Sequence, residues 1–98
     1  MKFTVILQPE AEGGYSIVVP ALPGVVTQGE TIEEAMENVL EASELWLEVR
    51  AEDGLPIPVE TPEVVAREIE FCLKWRSEEG LPMTIETREV EIGAGVAA

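Results

Sequence analysis

Residues 13–38 read GGYSIVVPALPGVVTQGETIEEAMEN, and within this stretch the hydrophobic period changes from two residues to three and four. Tyr15 to Val19 alternates as a strand does. Pro20-Ala21-Leu22-Pro23-Gly24 follows as a rigid apolar loop, its two prolines fixing φ while Gly24 permits a positive φ. Val25 to Gln28 is a short further strand closed by Gly29. Thr31 then stands three positions before Glu34, the T-x-x-E spacing of a helix-capping box. Ile32, Ala35, Met36, Val39, Leu40, Ser43, Trp46 and Leu47 recur at helical spacing, which predicts an apolar stripe lying across a sheet. On that reading Met36 and Trp46 belong to the core. The helix is predicted to reach about Glu52, where Gly54 can take the left-handed terminal conformation and Pro56 prevents continuation.

Working outward, Lys2 to Gln8 places Phe3, Val5 and Leu7 on one side and Thr4, Ile6 and Gln8 on the other, the pattern of a half-buried strand. Pro9 and the turn residues Glu10 to Gly14 join it to Tyr15–Val19 as an antiparallel hairpin. Towards the other end, Thr61-Pro62 marks a second helix start, with Thr61 as cap and Pro62 in the first turn. Val64, Val65, Ile69, Cys72, Leu73 and Arg76 define its inner face as far as about Glu79, before Gly80-Leu81-Pro82. Glu63 with Arg67 and Glu70 with Lys74 are expected to pair at i,i+4. Met83 to Ile92 reads as a last strand, with a bulge expected near Thr87-Arg88 where the apolar register switches. The fold class is α+β: a three-stranded antiparallel meander with a helix on one face (β-β-β-α), then a second helix and a C-terminal strand. One domain is expected over residues 1–92, with Gly93 to Ala98 as a flexible tail. Residues 52–64, EDGLPIPVETPEV, echo residues 78–90, EEGLPMTIETREV, at eight of thirteen positions; local duplication and chance likeness of two helix ends both account for this.

Composition narrows the chemistry. The 98 residues carry 20 acids against 6 Lys plus Arg, a formal charge of −14, which disfavours nucleic-acid phosphates and anionic lipid and favours a basic partner. The chain has no histidine, which removes Ser/His and Cys/His nucleophile pairs, histidine metal sites and imidazole acid–base chemistry. Cys72 is the single cysteine and can form neither an intramolecular disulfide nor a cysteine zinc site. With no leader pattern and no long apolar run, a soluble cytoplasmic protein is expected.

The motifs Gly14-Tyr15, Pro20-x-Leu22-Pro23-Gly24 and Gln28-Gly29-x-Thr31, followed by Glu34-Ala35 and Asn38, occur in an order and spacing that closely resemble the HicB-like antitoxin family. The resemblance covers about residues 1–52. It implies a domain like a partly degraded ribonuclease H fold, which in toxin–antitoxin pairs binds a small basic HicA ribonuclease and blocks its RNA-cleaving surface. Independently of the family, these residues suit structural tasks: Gly14 in a turn, Pro20 to Gly24 steering the chain, Gly29 to Thr31 converting strand to helix. Tyr15 reads as a core aromatic. A nuclease of ribonuclease H type needs an acid projecting from its central first strand, whereas this strand has Val5-Ile6-Leu7 at its centre. The expectation is therefore a non-catalytic protein with no cofactor and no metal. Residues 53–98 lack the basic cluster and paired helices of a DNA-binding unit, so direct nucleic-acid binding is not expected.

The acids are not evenly spread. Nine lie between Glu30 and Asp53 against one base, Arg50. Glu33/Glu37, Glu37/Glu41 and Glu44/Glu48 are like charges at i,i+4, each unfavourable by about 0.2–0.5 kcal/mol on an isolated helix. Stability alone does not select such a pattern. Glu33, Glu37, Glu41, Glu44 and Glu48 are the candidate partner-binding residues, serving to steer and dock a small basic HicA-type toxin. A solvated, solubilising face is the plainer alternative. A homo-dimer or higher oligomer is expected, with no membrane partner; a solitary homo-oligomeric interaction protein without a toxin, and a residual metal-dependent nuclease, are the competing functions.

Overall fold

The computed structural model describes residues 1–92; the tail expected over residues 93–98 lies outside the described residues. Six elements follow in order: β1 (Lys2–Pro9), β2 (Tyr15–Val18), β3 (Val26–Gly29), α1 (Ile32–Glu52), α2 (Pro62–Glu78) and β4 (Glu86–Glu91). They form one antiparallel sheet of order β3-β2-β1-β4, so the last strand completes the sheet beside the first.

α1 starts where the capping pattern puts it, the Thr31 hydroxyl accepting from the Glu34 amide at 3.1 Å. It packs across β3 and β2. Ala35, Val39 and Leu47 of α1 join Phe3, Val5 and Leu7 of β1 and Ile17 of β2 in the main core. Val90 and Ile92 close that core on the far side.

Period-two reading leaves Ile6 on the solvent side of β1, yet Ile6 is 0 % exposed. α2 accounts for this. Glu60, just before the helix, accepts from both the Thr4 amide and the Thr4 hydroxyl, and Arg76 in its last turn donates to the Pro9 carbonyl at 3.0 Å. The segment between is thus pinned near both ends of β1, on the face to which Thr4 and Ile6 point. β1 is buried at its centre on both faces, the situation in which strands read as continuous apolar runs such as Val5-Ile6-Leu7. The Thr4 amide lies beyond the last β1–β2 partners, Ile6 and Val18, so the Glu60 carboxylate satisfies a group the ladder leaves open. Glu60→Ala is expected to lower unfolding free energy by about 2 kcal/mol in urea titrations, with Thr4→Val showing a smaller loss.

The expected bulge near Thr87-Arg88 is absent. β4 pairs with β1 without interruption from Leu7↔Glu86 to Lys2↔Glu91. The register change has another origin: α1 covers β2 and β3, so the end of β4 beyond its reach carries a polar pair, Arg88 to Glu86 at 3.0 Å, where an apolar residue would otherwise stand. The expected pairs Glu63–Arg67 and Glu70–Lys74 do not close either. Among the described residues the ion pairs within 4.0 Å are Met1–Glu91, Lys2–Glu89 and Arg88–Glu86.

The sequence echo has a structural counterpart. Both helices end in a glycine of positive φ, Gly54 at 70° and Gly80 at 68°. The next residue's amide bonds back to an arginine carbonyl, Leu55 to Arg50 and Leu81 to Arg76, the six-to-one bond of a Schellman end. Each arginine then donates Nε to a proline carbonyl, Arg50 to Pro56 and Arg76 to Pro82, both at 2.6 Å. Beyond that the copies diverge: Thr61 caps α2, where Pro62 occupies the first turn, whereas Thr87 and Arg88 lie in β4.

Candidate partner-binding site

The residues of the shared motifs sit where the chain turns or closes. Gly13 and Gly14 have φ of 100° and 78°, and a side chain at Gly14 would meet the Gly29 carbonyl. Leu22 is 0 % exposed and Gly24 has φ of 94°, so Pro20 to Gly24 folds back onto the core, with the Val25 amide donating to the Leu22 carbonyl. Pro23 is exposed at the tip, and Tyr15 packs half-buried against the core. Asn38 donates its side-chain amide to the Gln28 carbonyl at 2.7 Å, tying α1 to β3. Gly29 and Ala35 are in such close apposition that no β-carbon fits between them.

α1 therefore has a fixed rotation about its axis, and that rotation sets which side chains face out. Glu33, Glu37, Glu41, Glu44 and Glu48 are all exposed. At about 100° per residue they fall within an arc of roughly 80° and a length of about 22 Å. None lies within 4.0 Å of a cation among the described residues. The stripe is a continuous row of free carboxylates.

Beside it runs an apolar groove that the sequence reading did not single out. Leu45 and Val49 are 61 % and 47 % exposed and lie off the buried stripe of α1. With Val26 at the edge strand, Trp46, and Leu55 beyond the helix end they line a cavity of about 390 Å³. Trp46 thus packs partly on the core and partly lines this groove, where the Arg50 guanidinium sits 5.0 Å from its ring centroid. The signal was in the helical wheel: Leu45 and Val49, four residues apart, fall between the acids and the core face. α2 also exposes an apolar pair, Phe71 and Trp75.

No group of three or more His, Cys, Asp or Glu is placed to hold a metal ion among the described residues. The Cys72 thiol is pushed above its usual range, first by burial and then by nearby Glu68, with Arg76 pulling the other way. It stays protonated and unreactive at neutral pH. No helix among the described residues is long and apolar enough to cross a membrane.

Residues 3–72 match a family model described as "HicB_like antitoxin of bacterial toxin-antitoxin system", a match that runs beyond α1 into α2. A UPF0150 protein of Archaeoglobus fulgidus is 46 % identical over 66 residues, 65 % of this chain and 96 % of that protein. Antitoxin HicB of Escherichia coli K12 is 39 % identical over 62 residues, 63 % of this chain but 45 % of the antitoxin, so the likeness spans less than half of that protein. Among solved structures, the N-terminal domain of Burkholderia pseudomallei antitoxin HicB superposes with a TM-score of 0.70 at 24 % identity, covering 95 % of this chain and 99 % of that one. A chain of the HicA3 and HicB3 toxin–antitoxin complex gives 0.62 at 24 % identity, with the same coverage. These superpositions show the shared fold.

Proposed function

The chain belongs to the family of HicB-like antitoxins of bacterial toxin–antitoxin systems, and from that premise we propose that it neutralises a small, basic, RNA-cleaving toxin of HicA type by occluding it. The observation that carries this reading is the row of exposed, unpaired carboxylates on α1. A basic partner supplies the counter-charges that this chain lacks, and opposed potentials accelerate encounter. The antitoxin relatives support a role without catalysis, and the apolar centre of β1 offers no carboxylate for a metal-dependent nuclease.

The test is binding kinetics with the product of the adjacent reading frame. Glu37→Lys, Glu41→Lys and Glu44→Lys together are expected to slow association by about 10- to 100-fold at low ionic strength. The wild-type rate should fall steeply as salt rises, and RNA cleavage by the toxin should return when the variant replaces the wild type. Unchanged association after triple charge reversal would remove the stripe from the mechanism.

A further inference from the structure

We infer that α2 packs antiparallel against α2 of a second copy, joining two chains across a two-fold axis through Phe71 and Trp75. This aromatic pair is 64 % and 46 % exposed, on a shoulder of the helix whose buried side carries Cys72 and Arg76. Beside it runs a row in which charge alternates: Glu63, Arg67, Glu70, Lys74 and Glu78, all exposed. At about 100° per residue the row spans roughly 80°, and its centre lies roughly 80° round the helix from the aromatic pair. None of the five is within 4.0 Å of an opposite charge among the described residues.

The order of the charges selects both the partner and its direction. A two-fold axis brings each flank of an antiparallel helix pair against the same flank of the other copy, read in reverse. Glu70 then faces Lys74 of the second copy and Arg67 faces its Glu78, each contact being made twice. The midpoint of Glu70 and Lys74 is Cys72, that of Phe71 and Trp75 is Leu73, and that of Arg67 and Glu78 falls between the two. One position of the axis therefore satisfies both ion pairings and sets Phe71 against Trp75, to within about one residue or 1.5 Å of helix rise. Parallel packing would put Glu70 on Glu70 and Lys74 on Lys74. Packing against α1 would set a net acidic row against a wholly acidic one. Two terms work the other way. Glu68, half-buried on the far side of the aromatic pair, comes nearest to Glu79 of the second copy, and the −14 on each chain opposes association. Salt at about 0.15 M, with a screening length of about 8 Å, suppresses the longer-ranged repulsion more than the contact pairs. Because α2 lies over the face of β1 turned away from α1, the carboxylate stripe stays free in the dimer.

Sedimentation velocity on the purified chain tests it. In about 0.15 M salt the weight-average mass is expected to rise from 10.7 kDa towards twice that value by about 500 µM. Glu70→Lys and Lys74→Glu each turn the central ion pairs into like-charge contacts and should each weaken the dimer more than about tenfold, with far-ultraviolet circular dichroism unaltered. Mixed together, they should form a dimer of one copy each, since the lysines of one then face the glutamates of the other. Phe71→Glu, at an exposed position, should give a monomer. A wild type that stays monomeric at that concentration, a dimer that survives Phe71→Glu, or charge variants that fail to recombine would overturn the inference. A monomeric wild type whose Phe71→Glu variant no longer neutralises the toxin would also overturn it, assigning the aromatic pair to the toxin instead.

Discussion

Replacing Arg76 by alanine is expected to destabilise the protein by about 3–5 kcal/mol, whereas the same change at Arg50 should cost about 1 kcal/mol. The two arginines occupy equivalent places in the repeated helix ends, and each holds a proline carbonyl through Nε. Burial separates them. Arg76 is 1 % exposed, and its second bond, to Pro9, ties α2 to the end of β1. Alanine there leaves two part-buried carbonyls without their donor, empties the volume of a fully buried side chain and releases the tie between α2 and β1. Arg50 keeps water as a substitute. Lysine at position 76 should not rescue, since an ammonium cannot address two carbonyls with the fixed fork of a guanidinium. Equilibrium urea unfolding of the two alanine variants gives the comparison directly; equal losses would show that burial of Arg76 contributes nothing.

Gly29→Ala is expected to cost about 3 kcal/mol, lowering Tm by roughly 12–24 °C, for a reason unrelated to backbone torsion. A β-carbon at this position would lie 2.7 Å from the Ala35 Cα and nearer still to its amide nitrogen. Both are backbone atoms of the first turn of α1, so no side-chain rotation relieves the clash. The helix must lift from β3, and the core that Ala35 and Val39 build with Ile17 opens with it. A loss under 1 kcal/mol by calorimetry would mean that α1 can shift freely on the sheet, and with it the orientation of every carboxylate in the stripe.

The strand–loop–strand–helix run of residues 13–38 was legible because each part carries its own local signal: prolines and glycines at the turns, a cap and its partner three residues apart, and a clean change of period. The two-faced burial of β1 was less so. Thr4, Ile6 and Gln8 read as a wet face, and only the coverage by α2, itself fixed by Glu60 and Arg76 reaching residues far away in the chain, makes Ile6 internal. The β4 register misled for a similar reason, since a polar pair stands where α1 does not reach. The acidic stripe follows from spacing alone once the core face of α1 is known. The groove does not, because its depth depends on how far Leu45 and Val49 overhang an edge strand that sequence cannot place beneath them.

The neighbours of β1 also differ in when they exist. β2 is adjacent in sequence, but Lys2 pairs with Glu91, and the Met1 carbonyl accepts from the Ile92 amide. At translation rates of about 5–20 residues per second, β1 waits roughly 4–16 s between its own synthesis and that of its second partner. Throughout that interval the flank of β1 away from β2 is an open edge. The rate at which the complete sheet builds up is therefore tied to synthesis of β4, and a ribosome that stalls before β4 leaves a sticky nascent chain rather than a smaller working domain.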